Sequence, residues 1–267
     1  MHNAPQQESH SVQESNTKKR KLEKVKCIKA PPLSVKLMRG DIVGIYDTET
    51  ISKWDKRVWE LSMKFVEIGG SSEQPICSMF ERFDHADVDE TSLKWHADQR
   101  KISTSDVHSL IRNGKSSDTI GHYVTEALRR AKNAHKGTGR LWLCAFNESF
   151  DRDAMAQTIG MHNWMDILAN EKVHAVLDYK TAIKHVPCLV KKGLNGNKGK
   201  QEQIYDIMFN ESYSGHQADH DVDALARIVI STSRYITGRV IGRDLTRYRE
   251  HSLALDEERS KRVKLLK

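Results

Sequence analysis

Asp41-Ile-Val-Gly-Ile-Tyr46, followed by Asp47-Thr48-Glu49-Thr50, is an apolar run that breaks abruptly into carboxylates. It is rich in β-branched residues and too short for a helix, so it reads as a buried strand ending at Asp47. Side chains alternate along a strand, so Asp47 and Glu49 project from the same face of whatever sheet it joins. Two further runs follow, residues 58–68 (Val-Trp-Glu-Leu-Ser-Met-Lys-Phe-Val-Glu-Ile) and residues 76–83, with a Gly69-Gly70-Ser71-Ser72 turn between them. No helical period intervenes, and the opening therefore predicts a three-strand meander.

The period then changes. Ile120, Val124, Ala127, Leu128 and Ala131 recur at three and four, one face of a helix, and Leu141–Phe146 is again a short buried strand. Phe150, Ala154, Met155 and Ile159 begin another helix, Val173–Leu177 reads as a fifth strand, and Val222, Leu225, Ala226, Val229 and Ile230 mark an amphipathic helix. Strands first, then alternating helix and strand, predict the α/β class: a mixed five-stranded sheet, three strands in a meander and two parallel, with helices on both faces. The Gly-, Asn- and Lys-rich stretch Lys191–Lys200 excludes a packed element and reads as a mobile insertion.

Charge divides the chain of 267 residues into three. Residues 1–40 hold 9 Lys/Arg against 3 Asp/Glu, and residues 239–267 hold 9 against 5, while the segment between holds 25 against 28. The expected organisation is a disordered basic tail over 1–40, one domain over 41–237 and a basic extension over 238–267. The domain is large enough to bury a core without cross-links. Flexible basic tails raise affinity for a polyanion without specifying sequence, whereas an acidic body that must meet phosphate calls for bridging cations. Lys18-Lys19-Arg20-Lys21 leaves two readings open, a solvated tail or a nuclear-targeting or nucleic-acid-binding run.

Cys27, Cys77, Cys144 and Cys188 are widely spaced, with no Cys-x-x-Cys pair, which points away from a disulfide framework or a zinc knuckle and toward reduced thiols. No apolar run approaches the ~18 residues needed to cross a bilayer. The expected protein is intracellular, nuclear if the basic run is a targeting signal and otherwise cytoplasmic, with no membrane partner.

Three segments carry candidate chemistry. Asp47 and Glu49 could hold a hard cation, since Mg²⁺ takes oxygen ligands and is completed by one or two carboxylates with substrate phosphate and water. An isolated Asp-x-Glu pair, however, is ordinarily a polar strand end. In Ala145-Phe-Asn-Glu-Ser-Phe-Asp151 a strand runs into a helix start, where an acid also favours the positive end of the helix dipole; ending a second strand of the same sheet, Asp151 can converge on Asp47 and Glu49. In Gly215-His-Gln-Ala-Asp-His-Asp-Val-Asp223, Asp221 falls at the edge of the buried stripe of the last helix, where a carboxylate needs a partner. His216, in a Ser-Gly setting just before that helix, is free to approach the same point. Asp153, Asp219, His220 and Asp223 are decoys by their spacing.

Together these segments resemble the DEDDh exonucleases, proofreading-type 3′–5′ exonucleases of the RNase H-like superfamily. Asp47-Thr-Glu-Thr50 is similar to the first motif, Asn147-Glu-Ser-Phe-Asp151 to the second, and His216 with Asp221 to the third. Arg57-Val-Trp-Glu-Leu-Ser and Val176-Leu-Asp178-Tyr-Lys-Thr extend the resemblance over about residues 41–237. Phe146 departs from the family's usual His, and Thr50-Ile51 from its usual Thr-Gly. The resemblance implies an RNase H-like sheet and metal-dependent hydrolysis of DNA or RNA from a free 3′ end, releasing nucleoside 5′-monophosphates. It implies two Mg²⁺ or Mn²⁺ ions held by Asp47, Glu49, Asp151 and Asp221, with His216 as the base. Thr48 and Phe150 are further candidates for substrate contact, Phe150 by stacking on a base, although core packing is the more ordinary role expected of that ring. The rival readings are an RNase H-like module that binds nucleic acid or acts as a scaffold without catalysis, which would be expected to lack a carboxylate, and a Ser or Cys hydrolase, for which no Gly-x-Ser-x-Gly elbow is present.

Overall fold

The computed structural model describes residues 37–233, except 53, 71–73, 183–185, 193 and 195–198, with the backbone alone at 188 and 242–244. The Lys18–Lys21 run, nearly all of both expected tails and half of the 191–200 insertion lie outside the described residues. In chain order the elements are β1 (Ile42–Thr50), β2 (Val58–Glu67), β3 (Cys77–Asp84), α1 (Glu90–Arg100), α2 (Thr104–Arg112), β4 (Lys115–Ser116), α3 (Ile120–Ala134), β5 (Leu141–Ala145), α4 (Glu148–Ile159), α5 (Met161–Asn170), β6 (Ala175–Asp178), α6 (Tyr179–Ala182), α7 (Pro187–Lys191), α8 (Gln201–Phe209), α9 (Ala218–Thr232) and β7 (Gly242–Asp244).

The expected sheet is present. Its order is β4-β3-β2-β1-β5-β6-β7: β1, β2 and β3 form the antiparallel meander, and β5 and β6 run parallel to β1. The two-residue β4 and three-residue β7 extend its edges and were not expected. β1 is also longer than its apolar run suggests. It continues past Asp47, with Asp47 opposite Ser62 and Glu49 opposite Glu60, and after a register shift at Glu49/Thr50 the ladder ends with Thr50 opposite Val58. Backbone pairing with β2 carries these polar residues in extended conformation where hydropathy alone would stop.

Alternation along β1 sorts the molecule into two layers. Val43 and Ile45 pack with α8 and α9, where Ile204, Val222, Leu225, Ile228 and Val229 are buried. Ile42 and Tyr46 pack on the other face against α3, α4 and α5, where Val124, Leu128, Met155, Trp164 and Leu168 are buried. Each such Val, Leu, Ile or Met side chain contributes up to about 1.5–3 kcal/mol relative to exposure. Gly44, between them, faces Phe65: a Cβ there would sit 2.5 Å from the ring, so only hydrogen leaves room for it.

Two helices follow the meander in a stretch to which the sequence reading assigned no element. Both α1 and α2 begin with side-chain caps, Asp89 accepting from the Ser92 N–H and Ser103 from the Asp106 N–H. α1 buries only Ser92, His96 and Ala97 and carries no apolar stripe, whereas α2 turns Val107, Leu110 and Ile111 to one face. Ala97, Val107 and Ile111 form a third small cluster with Trp59 and Ile51 over the end of β1. Among the described residues, no helix is long and apolar enough to cross a membrane.

Candidate metal centre

The parity that directs Val43 and Ile45 toward α9 directs Asp47 and Glu49 the same way, beyond the apolar layer. Asp221 meets them from the first turn of α9. Asp47, Glu49 and Asp221 each offer a carboxylate oxygen, and these oxygens lie within 4.8 Å of one another. Glu49 is buried and the other two are half-buried. Neither the Asp47 nor the Glu49 carboxylate has a hydrogen bond or ion pair among the described residues.

Thr48, of opposite parity, faces α4. Its backbone N–H and its hydroxyl both donate to Asp151 Oδ1, at 3.0 and 2.8 Å, and fix that buried carboxylate beside the trio rather than within it. Thr48 is thus occupied in orienting Asp151. Phe150 is half-buried and outside the core clusters, contrary to the core-packing expectation. The Lys56 ammonium lies 5.3 Å from its ring centre. The reason is local: Phe150 lies in the first turn of α4, on the flank that faces the loop between β1 and β2.

His216 is exposed and has a left-handed backbone, φ 64, a conformation that costs a non-glycine residue about 1–3 kcal/mol. That turn aims its N–H back at Asp221 Oδ2, 2.9 Å away. Its ring makes no hydrogen bond among the described residues. The decoys go elsewhere: Asp153 to Lys56 and Arg152, Asp223 to Lys64, and His220 to the Ser214 carbonyl.

Crowded acids raise one another's affinity for protons. Asp47 is held well above the usual carboxylate range by burial first, then by the charges of Asp151, Asp221 and Glu49. Burial lifts Glu49 as well, with Arg100 opposing and Glu60 reinforcing. Asp151 is raised by burial against the lowering effect of the Thr48 hydrogen bonds, and Asp221 by burial against the hydrogen bond from Tyr213. Four carboxylates, two with no partner, make a site with a strong electrostatic demand for cations. Their all-oxygen donor set suits a hard divalent ion.

Several residues around the site escaped the sequence reading. Glu60, opposite Glu49 in the ladder, is fully buried and held by Arg100 at 2.6 and 2.8 Å and by Arg82 at 2.8 Å. An acid inside an apolar strand was the available signal. Tyr213 donates to Asp221 Oδ1 at 2.8 Å, and nothing in its polar surroundings marks it. Glu148 pairs with Arg152 beside Asp151. Trp54, 85 % exposed, stands on the loop that leaves β1 just past Glu49; a tryptophan in a polar turn was the signal. That loop is tied down by Ser52, whose hydroxyl accepts from the Trp54 and Asp55 N–H groups.

No protein-family model and no curated protein matches the sequence. Among solved structures, the chain is similar to a moderately thermophilic exonuclease I from Methylocaldum szegediense, at 13 % identity and TM-score 0.49, over 73 % of this chain and 40 % of that one. It is similar to the same degree to E. coli exonuclease I crystallised with a dT13 oligonucleotide, at 12 % identity and TM-score 0.49, over 73 % and 41 %. The chain thus spans about two fifths of the length of these neighbours.

Proposed function

We propose that the protein is a metal-dependent 3′–5′ exonuclease that hydrolyses the terminal phosphodiester bond of a DNA or RNA strand with a free 3′ end. One observation carries this reading: separate stretches of sequence bring carboxylate oxygens of Asp47, Glu49 and Asp221 within 4.8 Å of one another, with the Asp47 and Glu49 carboxylates unpartnered among the described residues. The likeness of the three motifs to the DEDDh pattern supports it independently.

In this reading Asp47, Glu49, Asp151 and Asp221 hold divalent ions, two Mg²⁺ or Mn²⁺, which when bound supply Lewis-acid stabilisation of the charge building on the scissile phosphate. The chain's own residues do the rest. Thr48 fixes the Asp151 carboxylate. The imidazole of His216, unencumbered at the rim, accepts a proton as a water oxygen bonds to phosphorus. The bond from phosphorus to the 3′-oxygen breaks, that oxygen takes a proton from solvent, and a nucleoside 5′-monophosphate leaves. Phe150 and Lys56, stacked at the flank, offer an aromatic face and a cation to the incoming strand.

The test uses 5′-labelled DNA and RNA strands, with free and blocked 3′ ends, in Mg²⁺, Mn²⁺ or excess chelator. Stepwise shortening of free ends that depends on metal is expected. Undiminished digestion in chelator, or equal digestion of blocked ends, would overturn the reading.

A further inference from the structure

Both oxygens of Asp221 are engaged by the loop that precedes α9, not by α9 itself. The Tyr213 hydroxyl donates to Oδ1 and the His216 N–H to Oδ2, at 2.8 and 2.9 Å. Tyr213 is itself anchored, its ring edge-on to Tyr205 with centroids 5.1 Å apart. Tyr205 in turn is held through its hydroxyl by Arg227 of α9 and by Glu211. The loop is therefore looped around one carboxylate and pinned at its back to the helix that carries it. Each carboxylate oxygen has a second lone pair, so both can accept these hydrogen bonds and still face a cation.

We propose that Tyr213 is a positioning residue of the acid cluster: by clamping Asp221 it sets that ligand's orientation toward Asp47 and Glu49, and through the shared carboxylate it couples cation binding to the placement of His216. This inference rests on the metal-centre reading above. Partners that orient a ligating carboxylate typically affect metal affinity or activity about 10–100-fold when removed.

Binding of Mn²⁺ to the full chain, followed by the loss of the free-ion paramagnetic resonance signal, tests it in Tyr213→Phe, which keeps the ring packed on Tyr205 and deletes only the hydroxyl. The expected result is Mn²⁺ affinity about 10–100-fold weaker than in the wild-type protein. The metal-free thermal midpoint should be unchanged, and kcat should fall without a change in KM for an oligonucleotide. His216→Ala, which retains its backbone N–H, should lose turnover while keeping Mn²⁺ affinity. If wild-type protein binds Mn²⁺ and Tyr213→Phe binds it equally well, or if the variant's only change is a lower thermal midpoint, the clamp is refuted while the metal centre stands. If wild-type protein binds no Mn²⁺, the metal centre falls, and the clamp falls with it.

Discussion

Asp47 is a half-buried acid that the fold supplies with neighbours of its own sign. Its carboxyl has no donor among the described residues and is raised by burial and by three adjacent acids, so in the absence of metal it opposes folding at neutral pH. Asp47→Asn should therefore abolish hydrolysis yet raise the melting midpoint measured in chelator, by about 2–4 °C for each 1 kcal/mol of relieved repulsion in a chain of this size. A lower midpoint would mean that the acid has a structural partner. Asp219 and Asp221 separate in the same way: Asp221 points into the trio and Asp219 does not. Asp219→Asn is expected to keep turnover and Asp221→Asn to lose it, measured on the same labelled strand. The converging carboxylates were legible before the structure because each interrupts an apolar pattern. Tyr213 and Thr48 were not legible as supports, since a hydrogen bond across eight or 103 positions leaves no trace in local periodicity.

β1 is the element on which the site is assembled, and its alternation explains most of what could be foreseen. The meander, the parallel pair and the helices over 120–134 and 218–232 followed from period and turn residues. α1 escaped because it buries little. Its role is polar: His96 Nε2 lies 2.9 and 3.0 Å from the Thr50 and Ile51 carbonyls, and Arg100 grips Glu60 beneath Glu49. Burial disfavours the charged form of Glu60, but the hydrogen bonds and charges of Arg100 and Arg82 outweigh it and hold its pKa below the ordinary value. Arg100→Met strands a fully buried carboxylate on Arg82 alone and should destabilise the protein by about 3–5 kcal/mol in urea unfolding. Arg100→Met combined with Glu60→Gln should recover much of that loss. Equal losses in the single and double variants would show that Arg100 acts by packing on Trp59, whose ring its guanidinium overlies at 4.4 Å.

For the molecule entire, the balance of the two kinds of acid sets a pH response. Glu49 and Asp151 rise from ordinary values of 4.5 and 3.8 to about 8 and about 7, chiefly by burial, and Asp47 and Asp221 move the same way. The folded chain then holds protons that the unfolded chain has released, so stability falls as pH rises from the ordinary values through about 7 to 8. Glu60, Asp41 and Glu171 have the opposite sign: the stability they confer is present above their ordinary values and is lost as pH falls through their lowered ones. Metal-free protein should therefore show a declining melting midpoint from about pH 5 to pH 8, and saturating Mg²⁺ should flatten it. A midpoint that climbs over that interval in chelator would contradict the crowding of the four acids. The charge segregation read from the sequence agrees with this arrangement, since the body that carries these acids is net negative while both ends are basic.

The exposure of Trp54 equips the protein with its own optical reporter. Of five tryptophans, Trp59, Trp142 and Trp164 are shut away from solvent and Trp95 is partly open, whereas Trp54, on the loop that follows β1, is 85 % exposed. Its indole should dominate the long-wavelength emission and the fraction quenched by acrylamide. A strand settling over the carboxylates would shade it, so the quenchable fraction should drop on adding oligonucleotide and stay constant in Trp54→Phe. Occupancy could thus be followed in the inactive Asp47→Asn variant, with no cleavage and no attached dye.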